Sequence, residues 1–151
     1  MAPKGDCRKL TEEGQACVCF NLRKASRAVT QLYDAAVRPT GLRSTQLSLL
    51  GAIMAFGPVT ITQLAEGLVT DRTTLTRNIR LLQRKGLIAP EPGTDRRQHR
   101  LIITDQGRHI MDRVYPMWKG VQGNLTKRLG AERLERLLSD LSTLVETVKC
   151  C

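Results

Sequence analysis

The sequence predicts a mainly α-helical chain with a small β-wing: a winged helix-turn-helix whose N- and C-terminal helices form a dimerisation base. Three observations lead there. Residues 71–86 place Leu75, Ile79 and Leu82 on one face at helical spacing, with Thr73, Arg77, Arg80 and Arg84 on the opposite face. A shorter amphipathic segment precedes this helix across a tight turn. Two short apolar runs around a basic tip follow it, which is the pattern of a hairpin.

Each element has its own local signal. Residues 1–10 are polar and expected to be flexible. From about Cys17 to Val37, Leu22, Ala25, Val29, Leu32, Tyr33 and Ala36 recur every three or four residues, so a helix is predicted; Pro39 and Gly41 end it. Ser44 is the expected cap of the next helix, whose buried side is Leu47, Leu50 and either Ile53 or Met54. Gly57-Pro58 breaks that helix. Thr60-Ile-Thr-Gln63 has the form of a capping box, and the helix it opens buries Ile61, Leu64, Ala65 and Leu68. Residues 67–70 read as a turn, after which Thr70 or Asp71 caps the helix of residues 71–86 and Gly86 closes it.

Leu87-Ile88 begins one strand and residues 100–104 form the other, with residues 93–99 as the basic tip. Thr104 caps a long helix to about Leu129, striped by Ile110, Val114, Met117, Val121 and Leu125; Pro116 is expected to kink it. Gly130 separates a last helix carrying Leu134, Leu137, Leu138, Leu141, Leu144, Val145 and Val148. This wide stripe has no other domain to cover it. With the first helix it is best buried against a second copy of the chain. One domain over residues 1–151 results, with 11–40 and 105–151 as dimerisation helices and 42–104 as the winged region.

Charge narrows the partner. The 151 residues carry a formal net charge of +10, which points to a polyanion. Residues 71–100 hold eight Lys and Arg against three Asp and Glu, so the basic residues are concentrated there. No apolar run approaches the roughly 20 residues of a membrane-spanning helix. Met1 to Cys7 lack the apolar core of a signal peptide, so the expected location is the cytoplasm, without a membrane partner. There the five cysteines are not expected to form a disulfide framework.

Double-stranded DNA is the polyanion that this arrangement suits. The major groove admits an α-helix, and the N-terminal part of the second helix of a helix-turn-helix meets the base edges. Here that part offers Thr73, Thr74, Thr76 and Arg77 as base readers. Arg72, Arg80 and Arg84 suit phosphates, which position without specifying. At the tip, Arg96 and Arg97 suit a narrow minor groove, and Asp95 is expected to pair with a nearby arginine and orient it.

At this point the chain resembles the MarR family of transcriptional regulators over nearly its whole length. The resemblance is carried by Ile61-Thr-Gln-Leu-Ala65, Asp71-Arg-Thr-Thr-Leu-Thr-Arg77, Lys85-Gly-Leu-Ile88, Asp95-Arg-Arg97 and Leu101-Ile-Ile-Thr-Asp-Gln-Gly107. It implies a triangular homodimer with two winged regions on adjacent major grooves of a pseudo-palindrome. It also implies that Arg97 enters the minor groove with Asp95 as its structural partner. Such proteins are usually repressors, released when a ligand or oxidant changes the spacing of the two recognition helices.

The cysteines are the chemically distinctive groups outside this surface. Cys17-Val-Cys19 opens the first helix, and a thiol near a helix N-terminus can become a reactive thiolate. On an intact helix, residues two apart point to nearly opposite sides, so a Cys17–Cys19 disulfide would change the backbone. The alternative is that both are small buried hydrophobes. Cys19-Phe-Asn-Leu-Arg-Lys-Ala-Ser-Arg27 is similar to the first helix of the peroxide- and thiol-sensing MarR subgroup. That similarity implies Cys19 as the oxidised cysteine and Tyr33 as a supporting phenol. Arg23 and Ser44 stand where the subgroup has further tyrosines. A rival effector is a soft metal or metalloid such as As(III), held by Cys17, Cys19, Cys150 and Cys151. A small aromatic ligand between dimer base and winged region is a third. His99 and His109 are not expected to be ligands. No phosphate loop, nucleophile–base pair or carboxylate dyad is present, so no enzyme is predicted and no cofactor is required. A non-specific architectural DNA-binding protein is the alternative from another class.

Overall fold

The computed structural model describes residues 13–92 and 100–149. The chain runs α1 (Val18–Val37), α2 (Ser44–Phe56), α3 (Ile61–Gly67), α4 (Arg72–Arg84), β1 (Ile88–Pro90), β2 (Leu101–Ile103), α5 (Asp105–Leu129) and α6 (Ala131–Lys149), with single 3-10 turns at Gly14–Ala16 and Arg38–Thr40. It is mainly helical with a two-stranded wing, as the sequence predicts.

Local capping chemistry sets three of the six α-helix starts, those of α3, α4 and α5. In α3 the Gln63 amide donates to Thr60 Oγ1 at 3.2 Å, and the Thr60 amide donates to Gln63 Oε1 at 2.9 Å, which completes the predicted box. In α5 the Gly107 amide donates to Thr104 Oγ1 at 3.0 Å. The start of α2 departs from expectation. Arg43 occupies the cap position and Ser44 is the first helical residue. The Ser44 amide donates to Asp34 Oδ1 at 2.6 Å, so α1 supplies the cap from ten residues away. That amide also holds the Asp34 carboxyl below the usual carboxylate range.

The core gathers Leu49, Leu50 and Ile53 of α2, Leu64 of α3, and Leu75, Ile79 and Leu82 of α4 over the wing residues Leu87, Ile88, Leu101 and Ile103. Val37 and Val114 close it from the α1 and α5 sides. Ile53 is therefore the buried member of the Ile53/Met54 pair, and Met54 is 46% exposed. The wing strands pair antiparallel, Ile88 with Ile103 and Pro90 with Leu101. Val59 exchanges two backbone hydrogen bonds with Leu101, at 3.1 and 2.8 Å, which fixes the wing to the α2–α3 turn. The long helix α5 continues unbroken through Pro116.

Val69, in the turn between α3 and α4, has φ of +49°. A β-branched residue there is strained, and Asn is among the residues that tolerate this conformation. Val69 is 60% exposed, so little packing depends on it. We expect Val69→Asn to stabilise the fold by about 1 kcal/mol, roughly 3 °C in Tm. An unchanged or lower Tm at equal protein concentration would contradict this.

Among the described residues two apolar faces remain exposed in one protomer. Along α1, Val18, Phe20, Val29 and Leu32 are exposed; along α6, Leu137, Leu138, Leu141, Val145 and Val148 are, and no residue of α6 is buried. Among the described residues no helix is long and apolar enough to cross a membrane.

Candidate nucleic-acid interface

The surface is built on α4. Its start is set by Asp71, whose Oδ1 accepts the Thr74 amide at 2.8 Å; Thr70 takes no part in the cap. The same amide holds the Asp71 carboxyl below its ordinary range. An ionised cap also complements the positive end of the helix. Leu75, Ile79 and Leu82 are then driven into the core, which turns the polar side of α4 outward as a rigid face.

That outward face brings together Arg72, Thr73, Thr76, Arg77, Arg80, Gln83 and Arg84 in one continuous concavity. Six of these are predicted contacts; Gln83 was not. Its neutral side chain carries no charge signal, but it falls on the same face as Thr76 and Arg80 by helical spacing. Thr74 is not part of the concavity. It follows Thr73 by one residue, about 100° around the axis, and its carbonyl takes the Asn78 side-chain amide at 3.2 Å. The Thr76 hydroxyl donates to the Arg72 carbonyl at 2.6 Å, which leaves its methyl and an oxygen lone pair available.

Two other basic residues of this region turn elsewhere. Lys85 Nζ donates to the Gly41 carbonyl at 2.8 Å, fastening the end of α4 to the α1–α2 corner. Arg100 donates to the Pro58 carbonyl at 2.7 and 3.2 Å and lies 3.4 Å from Glu91 Oε2. It clamps the wing base rather than facing outward. Among the described residues none of Arg72, Arg77, Arg80 and Arg84 makes an ion pair, so four guanidinium groups stay available to phosphate or guanine. Asp95, Arg96 and Arg97 lie outside the described residues, as do His99, Cys150 and Cys151.

Cys17 and Cys19 are free and exposed in the protomer, so the buried-hydrophobe alternative does not hold there. Cys17 precedes α1 in an extended conformation, and Cys19 is its second residue. The Cys17 carbonyl accepts both the Asn21 amide, at 3.1 Å, and Asn21 Nδ2, at 3.0 Å; Nδ2 also donates to the Gln15 carbonyl at 2.8 Å. Tyr33 lies fourteen residues beyond Cys19 on the same helix, about 21 Å along its axis. A Tyr33–Cys19 contact can therefore be made only between subunits. Burial pushes the Tyr33 phenol up from its ordinary pKa, so it stays neutral at physiological pH. Among the described residues no group of three or more His, Cys, Asp or Glu could hold a metal. A set including Cys150 and Cys151 extends beyond them.

Known proteins match this arrangement. Residues 40–98 fit the model of the MarR family. The M. tuberculosis transcriptional regulator MosR, solved in complex with DNA, is 36% identical with a TM-score of 0.79, covering 89% of this chain and 98% of MosR. The transcriptional repressor CouR, solved bound to p-coumaroyl-CoA, is 25% identical with a TM-score of 0.77, covering 96% and 98% of the two chains. The organic hydroperoxide resistance transcriptional regulator of Bacillus subtilis (strain 168) is 28% identical over 149 residues, 98% of this chain and 97% of its own. The chain belongs to the MarR family of DNA-binding transcriptional regulators, which are not enzymes.

Proposed function

We propose that the protein is a cytoplasmic, sequence-specific repressor that binds a pseudo-palindromic operator as a homodimer and leaves it when Cys17 and Cys19 are oxidised. The observation that carries the DNA reading is the outward arginine face of α4, which makes no ion pair among the described residues and is backed by a buried face that fixes its direction. The uncovered apolar faces of α1 and α6 support the dimer. Residues 11–40 and 105–151 then form its base, residues 42–104 read DNA, and residues 96 and 97 extend the contact into the minor groove. No cofactor enters; the effector is a signal.

The thiol reading rests on two exposed thiols at the start of a dimerisation helix. In it the Cys19 thiolate attacks one peroxide oxygen, the O–O bond breaks, and the alkoxide leaves with a proton as the alcohol. The Cys17 thiol then attacks the sulfenic sulfur, an S–S bond forms, and water leaves. Two thiols are oxidised and one peroxide is reduced. Closing the disulfide requires Cβ atoms within about 4 Å, and any turn of the Cys17 peptide toward Cys19 acts on the carbonyl that takes both Asn21 donors. The turn that begins α1 is remade, and α1 belongs to the dimer base that sets the separation of the two α4 helices. The relative named for organic hydroperoxide resistance favours a peroxide as oxidant over a metalloid.

The test is operator binding with and without cumene hydroperoxide. Wild type and Cys150→Ser/Cys151→Ser should be released. Cys17→Ser and Cys19→Ser should stay bound. Release of the Cys17→Ser/Cys19→Ser double variant by peroxide would reject the thiol switch.

A further inference from the structure

Cys17 is held at both of its peptide groups. Its amide donates to the Gly14 carbonyl at 3.2 Å, and its carbonyl accepts the Asn21 amide at 3.1 Å and Asn21 Nδ2 at 3.0 Å. Nδ2 donates a second time, to the Gln15 carbonyl at 2.8 Å. One side chain therefore ties the 3-10 turn Gly14–Ala16 to the first turn of α1 across Cys17. Both partners are carbonyl oxygens, so only the amide nitrogen can face them. Asparagine is among the poorer helix formers, because its amide competes for backbone groups. Near the start of α1 that competition is what joins the two segments.

We infer that Asn21 is a positioning residue that sets the redox poise of the Cys17–Cys19 pair by stabilising its dithiol form. This role rests on the thiol switch proposed above. The ring closed by a Cys17–Cys19 disulfide contains the Cys17 carbonyl carbon, so the torsions of that ring decide where the carbonyl points. Bonds that Asn21 makes to the dithiol form are strained or lost in the disulfide, and their free energy adds to the cost of oxidation. Asn21 thereby raises the oxidant level at which the pair closes and holds the protein as the dithiol below it.

The test is the equilibrium of the pair with glutathione, in the full chain carrying Cys7→Ser, Cys150→Ser and Cys151→Ser so that no other thiol reports. Cys17 and Cys19 lose two electrons and two protons as their S–S bond forms; oxidised glutathione takes them up as its own S–S bond breaks to give two thiols. Alkylation and intact mass measure the dithiol fraction at each buffer ratio. Asn21→Val removes the side-chain donor, and valine is close to asparagine in helix propensity, so the intrinsic stability of α1 is kept. The equilibrium constant for disulfide formation should rise about tenfold, which lowers the midpoint by about 30 mV. Asn21→Gln keeps the amide on a longer arm and should fall between the Asn21 parent and Asn21→Val. A midpoint unchanged or raised in Asn21→Val, or an Asn21→Gln shift as large as the valine's, would overturn the role of Asn21 while leaving the switch in place. A parent pair that stays dithiol in every buffer would overturn the switch, and the role of Asn21 with it.

Discussion

Arg77→Ala is expected to weaken operator binding on the order of tenfold to a hundredfold and to relax sequence preference at one position in each half-site. Arg77 sits in the second turn of α4 on the outward face, flanked by Thr73, Thr76 and Arg80. Among the described residues it makes no ion pair, so its donors are free for a bidentate contact. Arg77→Lys keeps the charge and loses the planar fork, so most of the specificity loss should remain. Arg80→Gln and Arg84→Gln should behave differently. Each should weaken all sequences alike and lower the slope of log K against log salt by about one. Competition titrations against half-site variants at two salt concentrations separate the two behaviours. A uniform loss from Arg77→Ala would make Arg77 a phosphate anchor.

Gly107→Ala is expected to cost about 3 kcal/mol or more and to lower Tm by several degrees. The usual sign is the reverse, because alanine within a helix is favoured over glycine by up to about 1 kcal/mol. Here a Cβ would lie 2.1 Å from the Leu87 carbonyl oxygen and 2.7 Å from Ile103 Cγ1. The first is backbone held by the Thr104 amide at 3.1 Å, so it cannot swing aside. Thr104 Oγ1 also donates to the Gly86 carbonyl at 2.6 Å, which locks the same junction. The clash therefore pries α5 off the base of the wing and parts the dimer helix from the end of α4. Thermal or urea unfolding at fixed protein concentration measures it, and an unchanged or raised Tm would contradict the packing described.

What the sequence made legible was local. The Thr60–Gln63 box, the Asp71 and Thr104 caps and the apolar stripe of α4 depend on residues within one or two turns, and spacing alone locates them. Contacts between distant segments were hidden. Asp34 caps α2 from another helix, Lys85 reaches back to Gly41, and Arg100 folds onto Pro58, although a charge count treats both cations as DNA-facing. The left-handed turn residue is Val69 rather than the neighbouring Gly67, because the register of α3 and α4 decides which residue turns.

The central claim is that two copies of α4, held by one dimer base, read a pseudo-palindrome. Its most direct measurement is the affinity of the reduced chain for a site selected from a randomised duplex library, against a random duplex of the same length at one salt concentration. The account predicts two protomers per selected duplex and a preference of at least about a thousandfold over random DNA. Equal affinity for both duplexes, with a steep salt dependence alone, would contradict it.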